Sequence, residues 1–206
     1  MRFAELDAVT IDAFGTLLEL VDPLPFLAEA LRSREIERTD EQIADAFAAE
    51  GRYYRAHIHE GADEAGLRDL HARCAGVFLE AVGAELDPRE FAREYVGCLH
   101  FRTIEGVVPA LQSLQSRGLA LAVVGNWDLT VHRWLAELGL SHYFSVVLHA
   151  ARKPDPSALT RALDDLDVRP ERAVHIGDER ADEEAAAATA MHYLPAPLAA
   201  AVTGIA

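Results

Sequence analysis

The chain has 206 residues, of which 50% are hydrophobic and 26% are charged, and its formal net charge at pH 7 is -15. This balance is typical of a globular protein and excludes a disordered chain, while the negative charge argues against nucleic acid or an anionic membrane as a partner. The sequence has no apolar run long enough to span a membrane and no signal-peptide core at its start, so we expect a cytoplasmic protein.

The first predicted element is a short buried strand. Residues 8–11 are apolar or β-branched, and this run ends abruptly at Asp12. From about residue 20 to residue 102, apolar residues recur at three- and four-residue steps, which predicts helices with no strand between them. Residues 39–42 have the spacing of a capping box, which marks the start of one of these helices. The stretch is therefore expected to form a helical domain of its own.

From about residue 103 the pattern alternates between apolar strands and amphipathic helices, which is typical of a parallel sheet with crossover helices. The later strands are predicted at residues 119–124, 144–148 and 173–176. The predicted fold class is α/β, with a three-layer, Rossmann-like parallel sheet core formed by residues 1–19 and 103–206. Residues 20–102 are expected to form an all-helical cap domain inserted into this core.

Polar residues stand at or just beyond the carboxyl ends of the predicted strands. They are Asp12, the pair Gly125 and Asn126, Lys153, and Asp178. Open α/β sheets bind their ligands at this edge, because the strand ends and the loops after them converge there. We therefore expect these residues to meet in one site.

The motifs resemble those of the haloacid dehalogenase-like hydrolase superfamily in both order and spacing. The first motif is matched by Asp12-Ala13-Phe14-Gly15-Thr16-Leu17, the third by Lys153-Pro154-Asp155-Pro156, and the fourth by Ile176-Gly177-Asp178 with the acidic residues after it. The helical block after the first motif resembles the cap of the subfamily that inserts it at that point. The resemblance implies a hydrolase that works through a covalent intermediate on a carboxylate.

Catalytic and substrate-binding roles follow from this resemblance. Asp12 would attack the substrate, and Lys153 would pair with both the nucleophile and the transferring group. The substrate, a small anion, would be bound by Thr16, Gly125 and Asn126.

The resemblance also implies a bound Mg²⁺ ion. The ion would be held by Asp12, the backbone carbonyl of Phe14 and Asp178, because oxygen-only ligation with retained waters suits magnesium. Either Asp182 or Glu183 would serve as a further ligand, directly or through water. The alternative is that the acidic residues after Gly177 bind no metal and are present because acids at the N-terminus of a helix interact favourably with the helix dipole.

One segment of the predicted cap carries groups suited to anion recognition. If residues 52–59 are helical, Arg52, Arg55 and His59 fall on one face and are candidates for substrate binding. The alternative is that this face of the cap helix is merely exposed to solvent and binds no substrate. His175, inside an apolar strand, is interpreted as a hydrogen-bonded core histidine and not as a ligand.

The sequence departs from the family pattern at two positions. Phe14 stands where phosphatases of this superfamily carry a second aspartate, which protonates the leaving oxygen and then activates water. Loss of a positioned acid costs roughly 10²- to 10⁴-fold in rate, so the leaving group would have to be an acyl phosphate, a phosphoanhydride or a halide. Gly125 stands where the family has serine or threonine, and Asn126 or backbone N–H groups would replace that hydroxyl only in part.

Three hypotheses follow. The leading one is Mg²⁺-dependent hydrolysis of a small phosphorylated metabolite with a good leaving group, through an aspartyl-phosphate on Asp12. The second is a metal-independent 2-haloacid dehalogenase, because an aromatic residue at the position of Phe14 is a feature of that group. The third is a catalytically weakened binding or regulatory protein. Neither the identity of the substrate nor the oligomeric state follows from the sequence.

Overall fold

The structure is a computed structural model that describes residues 2–205. Its strands are β1 (Ala8–Ile11), β2 (Leu18–Leu20), β3 (Phe101–Thr103), β4 (Ala120–Val124), β5 (Val146–Leu148), β6 (Ala173–Gly177) and β7 (His192–Pro195). Its helices are α1 (Leu24–Arg32), α2 (Asp40–His57), α3 (Glu64–Val82), α4 (Pro88–Gly97), α5 (Val107–Ser116), α6 (Thr130–Glu137), α7 (Ser157–Leu166), α8 (Arg180–Ala188) and α9 (Leu198–Gly204).

The main sheet has five strands in the order β5-β4-β1-β6-β7, and every neighbouring pair in it is parallel. Strand β1 is central, and all its residues are buried because helices cover both faces of a parallel sheet. The register aligns Ile11, the last residue of β1, with Val123 of β4 and Ile176 of β6. The residues that follow these strands therefore emerge at one edge.

Helices cover the sheet on its two faces. On one face, α7 and α8 pack against small side chains of the strands, including Ala8, Ala122 and Ala173. On the other, α5 and α9 pack against each other and against β4 and β6. The predicted three-layer, Rossmann-like α/β core is thus confirmed. Strand β7 and helix α9 were not predicted. The signal for β7 is weak because the strand is short, lies at the edge of the sheet and ends in a proline.

The chain divides into two compact units. The first ends at Glu19 and resumes at Arg102, and the second runs from Leu20 to Phe101. The chain passes between them through β2 and β3, which pair as a separate two-stranded sheet. Within residues 2–205, no helix is both long and apolar enough to cross a membrane.

The second unit is built from helices α1 to α4. Its core is lined by buried side chains that include Leu31, Leu70 and Phe78. The predicted capping box is present at the start of α2, where the Thr39 side chain accepts from the Gln42 N–H and the Gln42 side chain accepts from the Thr39 N–H. This reciprocal pair satisfies two backbone donors and fixes where the helix begins.

Candidate active site

Asp12 is held at the carboxyl end of the central strand. Its backbone N–H donates to the carbonyl of Ile176 at 2.8 Å, which continues the pairing of β1 with β6 by one residue. The residue is 7% exposed, so its carboxylate is largely shielded from solvent. Burial raises the pKa of Asp12 to about 7, although the ammonium of Lys153 acts in the opposite direction.

Lys153 places its ammonium group against Asp12. The Nζ atom donates to Asp12 Oδ1 at 2.6 Å, to the carbonyl of Val124 at 2.7 Å and to Asp182 Oδ1 at 2.5 Å. These acceptors use all three of its protons. Burial alone would lower the pKa of Lys153, but the two carboxylates outweigh that effect and raise it. The group is therefore a fixed positive charge at the strand ends.

Asp182 lies on the first turn of α8 and is 2% exposed. Its Oδ1 also faces His175 Nε2 at 3.1 Å, and its Oδ2 accepts from the backbone N–H of Glu179 at 3.0 Å. Burial alone would raise the pKa of Asp182, but the contacts with His175 and Lys153 hold it well below its ordinary range. The neighbouring residue Glu183 is exposed, because successive residues of a helix point in different directions.

Close packing at Asp182 depends on a glycine. A Cβ on Gly177 would overlap the carboxyl carbon and Oδ2 of Asp182. The glycine of the Gly177-Asp178 motif therefore has a steric function, because it lets α8 bring a carboxylate against the end of β6.

Asp178 is the exposed carboxylate of the group. Its Oδ1 accepts from the hydroxyl of Thr16 at 3.3 Å, and Thr16 itself is fully buried. Burial and the nearby charge of Asp182 raise the pKa of Asp178. Gly15 has a φ of 82°, and a Cβ there would overlap the Asp178 carboxylate. Both the turn and the approach of Asp178 thus require glycine at this position.

Three carboxylates form a candidate metal centre. One oxygen from each of Asp12, Asp178 and Asp182 lies within 4.8 Å of the others. Hard oxygen donors at this spacing fit a divalent cation such as Mg²⁺, which prefers carboxylates and water as ligands. Glu183 is not one of these three residues. Asp182 uses both of its oxygens in the hydrogen bonds described above, whereas Asp178 stands at the surface.

Gly125 and Asn126 lie beside Lys153 after strand β4. The Asn126 side chain accepts from the Lys153 N–H at 2.7 Å and donates to the Lys153 carbonyl at 2.9 Å. Asn126 thus clamps the backbone that carries the ammonium group. The Gly125 N–H donates to the carbonyl of Leu148 at 3.0 Å, and a Cβ at Gly125 would lie 3.3 Å from that of Ala13. A side chain at position 125 would therefore need a small adjustment of its neighbour.

Phe14 presents a hydrocarbon ring at the position where the resemblance to phosphatases of the superfamily implies an acid. The residue is 51% exposed, and its ring lies edge-on to Trp127, with 5.9 Å between the ring centroids. Trp127 is 5% exposed and donates from Nε1 to the hydroxyl of Thr130 at 3.1 Å. Phe14 therefore packs against the buried ring of Trp127. Its own side chain carries no group that can transfer a proton.

The remaining predicted site residues, Arg52, Arg55 and His59, belong to the helical unit. Arg52 and Arg55 are exposed residues of α2. The helix ends at His57, and residues 58–61 form a 3₁₀ turn, so the predicted continuous helical face does not extend to His59. The cause is local, because His57 adopts φ -119° and ψ 1°, outside the α-helical range.

The contact between Thr10 and His175 was not predicted. Thr10 and His175 are each fully buried, and the Thr10 hydroxyl oxygen lies 2.8 Å from His175 Nδ1. Burial lowers the pKa of His175, which favours the neutral imidazole. The prediction that His175 is a hydrogen-bonded core residue is confirmed, but a threonine in an apolar strand carries no signal that would have identified Thr10 as its partner.

This chain is similar to several known proteins. Residues 6–189 match the family described as haloacid dehalogenase-like hydrolase. The chain is 29% identical over 184 residues to the glyceraldehyde 3-phosphate phosphatase of Methanopyrus kandleri, an alignment that covers 84% of this chain and 76% of that protein. It is 31% identical over 199 residues to the phosphoglycolate phosphatase of Thiobacillus denitrificans, covering 89% and 79%.

A solved structure with a similar fold is the 2-haloacid dehalogenase of Pseudomonas syringae. It aligns with a TM-score of 0.62 at 24% identity and covers 91% of this chain and 85% of its own. At that identity the likeness concerns the fold alone. The family match spans residues 6–189 and so includes Asp12, Lys153 and Asp178, and the chain therefore belongs to the haloacid dehalogenase-like hydrolases.

Proposed function

We propose that this hydrolase is a Mg²⁺-dependent phosphatase that acts on a small phosphorylated metabolite with a good leaving group. The observation that carries the proposal is the contact between the Asp12 carboxylate and the buried ammonium of Lys153, with Asp178 beside them at the same strand ends. The relatives named as phosphatases support the same class of reaction.

Asp12 is the proposed nucleophile. A carboxylate oxygen attacks phosphorus, the bond from phosphorus to the leaving oxygen breaks, and the leaving group departs with its electron pair. Water then attacks the phosphorus of the aspartyl-phosphate, and the bond to Asp12 breaks to give inorganic phosphate. Lys153 offsets negative charge on the transferring group at a position that is already fixed before substrate arrives.

Mg²⁺ would be held by Asp12, Asp178 and the backbone carbonyl of Phe14. When bound, the ion neutralises the negative charge of the phosphoryl group, which a chain with a net charge of -15 would otherwise repel. We propose that Asp182 holds Lys153 and does not bind the ion directly, because its Oδ1 already contacts both Lys153 and His175 and its Oδ2 accepts from the Glu179 N–H. We assign no metal role to the exposed Glu183.

Phe14 sets the proposed class of leaving group. Since this side chain cannot protonate a leaving alkoxide, the enzyme should favour acyl phosphates or phosphoanhydrides over alkyl phosphates. Thr16 and Asn126 contribute to substrate recognition indirectly in this proposal, because Thr16 orients Asp178 and Asn126 orients Lys153. Arg52 and Arg55, both exposed residues of α2, are proposed as anion-recognition groups of the helical unit.

Beryllofluoride, which mimics a phosphoryl group on aspartate, tests the proposal directly. We expect ¹⁹F NMR to show binding to the wild-type protein with Mg²⁺, and no binding to the Asp12→Asn variant or after chelation of the metal. A parallel assay compares an acyl phosphate with an alkyl phosphate. Absence of binding by the wild-type protein under these conditions would contradict the phosphoryl-transfer proposal.

Dehalogenation is a second candidate, and Phe14 is the observation that favours it, because halide leaves without a proton. In that case Asp12 would attack the carbon that bears the halogen, and water would hydrolyse the resulting ester. The measurement is halide release from 2-haloacids in the presence of a chelator. Release under those conditions, with no phosphatase activity in Mg²⁺, would replace the leading proposal. The family membership and the intact pair of Asp12 and Lys153 count against a purely non-catalytic role.

A further inference from the structure

A buried series of polar contacts runs from the interior of the sheet to the proposed nucleophile. Thr10 of β1 and His175 of β6 are direct neighbours in the register of the two parallel strands. Both are 0% exposed, and Ala8 and Ala122 around them are also fully buried. Polar side chains in such surroundings are costly unless they are hydrogen-bonded, so each contact they make is structurally required.

The two ring nitrogens of His175 have different partners. Nδ1 lies 2.8 Å from the hydroxyl oxygen of Thr10, and Nε2 lies 3.1 Å from Oδ1 of Asp182. An ionised carboxylate offers only lone pairs, so Nε2 must carry the proton in that contact. In the neutral ring Nδ1 is then an acceptor, and the Thr10 hydroxyl donates to it.

The series continues from Asp182 to the reacting group. The same Oδ1 atom that faces His175 accepts from Lys153 Nζ at 2.5 Å, and Nζ donates to Asp12 Oδ1 at 2.6 Å. The ammonium of Lys153 is thus held between two carboxylates, and its position depends on the orientation of Asp182. The other oxygen of Asp182, Oδ2, accepts from the backbone N–H of Glu179.

We propose that His175 is a positioning residue for phosphoryl transfer, in which Thr10 selects its tautomer and Nε2–H fixes the Asp182 carboxylate that aligns Lys153 with Asp12. This inference rests on the proposed function. Its physical basis is that displacement of a catalytic group by about 1 Å can cost about 10²-fold in rate, so a residue that fixes such a group affects turnover without touching the substrate. Outer partners of comparable sites have effects of about 10- to 100-fold.

Three variants test the inference. His175→Leu removes both nitrogens at similar volume, and we expect kcat to fall about tenfold with KM nearly unchanged, by analogy with outer-shell losses. His175→Gln keeps a donor for Asp182 and should recover most of that loss. Thr10→Val removes the hydroxyl at nearly constant shape and should lower kcat by a smaller factor. The exposed His192 of β7 supplies the matched control, since His192→Gln should leave kcat unchanged.

A spectroscopic signature separates positioning from packing. ¹⁵N NMR of the imidazole should show the His175 proton on Nε2 in the wild-type protein, and a mixture of tautomers in Thr10→Val. Thermal unfolding of each variant records any change in stability. A role confined to packing would alter the unfolding midpoint of His175→Leu while leaving kcat intact.

The outcomes distinguish this inference from the proposed function. If the wild-type protein is inactive and fails to bind beryllofluoride, both are overturned. If it is active and His175→Leu retains the wild-type kcat, the inference alone is overturned. It is also overturned if the wild-type proton resides on Nδ1, because the contact with Asp182 would then lack a donor.

Discussion

Phe14 is the residue that most sharply separates this chain from the phosphatase pattern. The residue is half exposed, so replacing its ring with a polar side chain removes little buried apolar area. We expect Phe14→Asp to raise kcat/KM for alkyl phosphates by about 10- to 100-fold, because a positioned carboxyl group can protonate the leaving oxygen. The matched control is Phe14→Asn, which has the same size but no acid. Equal rates for the two variants would show that position 14 does not supply proton transfer.

Gly177 is expected to be intolerant of even one methyl group. A Cβ at this position would overlap the Asp182 carboxylate, so Gly177→Ala must displace Asp182 or the end of β6. Such overpacking typically costs about 1–3 kcal/mol in the free energy of unfolding, and we expect kcat to fall at least tenfold as Lys153 shifts. Urea unfolding and steady-state kinetics measure the two effects.

Gly97→Ala serves as the control for that substitution. Gly97 ends α4, and a Cβ there would meet no described atom within 4 Å. The variant should retain wild-type kinetics, and its stability should stay the same or rise slightly because alanine favours the helix. If Gly177→Ala behaves in the same way, close packing at the end of β6 does not position Asp182.

At the scale of elements, helix α2 carries a carboxyl group into the core of its unit. Glu50 is 5% exposed, with Tyr95 of α4, Cys74 and His71 of α3, and Arg55 of its own helix around it. Burial raises the pKa of Glu50, although these neighbours act in the opposite direction. The folded unit therefore binds a proton more tightly than the unfolded chain does.

The sign of the resulting pH dependence follows from linkage. Stability conferred by the protonated Glu50 is present below the pKa of a glutamate in an unfolded chain, about 4.3, and decreases as pH rises through the higher folded value. We expect Glu50→Gln to raise the free energy of unfolding at pH 8 by on the order of 1 kcal/mol, and by little at pH 4. Urea unfolding at both pH values measures this. A stabilisation that does not depend on pH would contradict the assignment.

Some features of the structure were predictable from local sequence patterns, and others were not. The helices of the inserted unit were predicted from apolar periodicity and from the capping box at Thr39, because both signals are local in the chain. The position of Asp12 at the end of β1 was predictable for the same reason. The contact of Thr10 with His175 joins residues 165 positions apart and has no local signature. To choose between Asp182 and Glu183, one must know which face of α8 turns toward the sheet. The sequence does not fix this face, because it does not place the start of the helix to within one residue.

At the scale of the whole molecule, a chain with a net charge of -15 brings three carboxylates, those of Asp12, Asp178 and Asp182, close together at the strand ends. A cation that binds the folded protein but not the unfolded chain adds about 2.7 kcal/mol at 100 times its Kd. We therefore expect millimolar Mg²⁺ to raise the thermal midpoint of the wild-type protein. Asp178→Asn should remove this increase, because it deletes an exposed ligand.

Calorimetry with Mg²⁺ and with a chelator makes the measurement. The control is Glu183→Gln, which removes an exposed carboxylate of α8 that does not belong to the three-carboxylate group. This variant should keep the full Mg²⁺ response. If it loses the response and Asp178→Asn keeps it, our assignment of the ligands is wrong.

The central place of β1 in the sheet also has a consequence during synthesis on the ribosome. Its hydrogen-bonding neighbours are β4 and β6, so the nascent strand has no partner in the main sheet until Ala120–Val124 have been made. The helices of residues 20–101 are contiguous and complete before then. Asp12 can therefore contact both Lys153 and Asp182 only after α8 has been made, so this candidate site is assembled after the helices of residues 20–101 are complete.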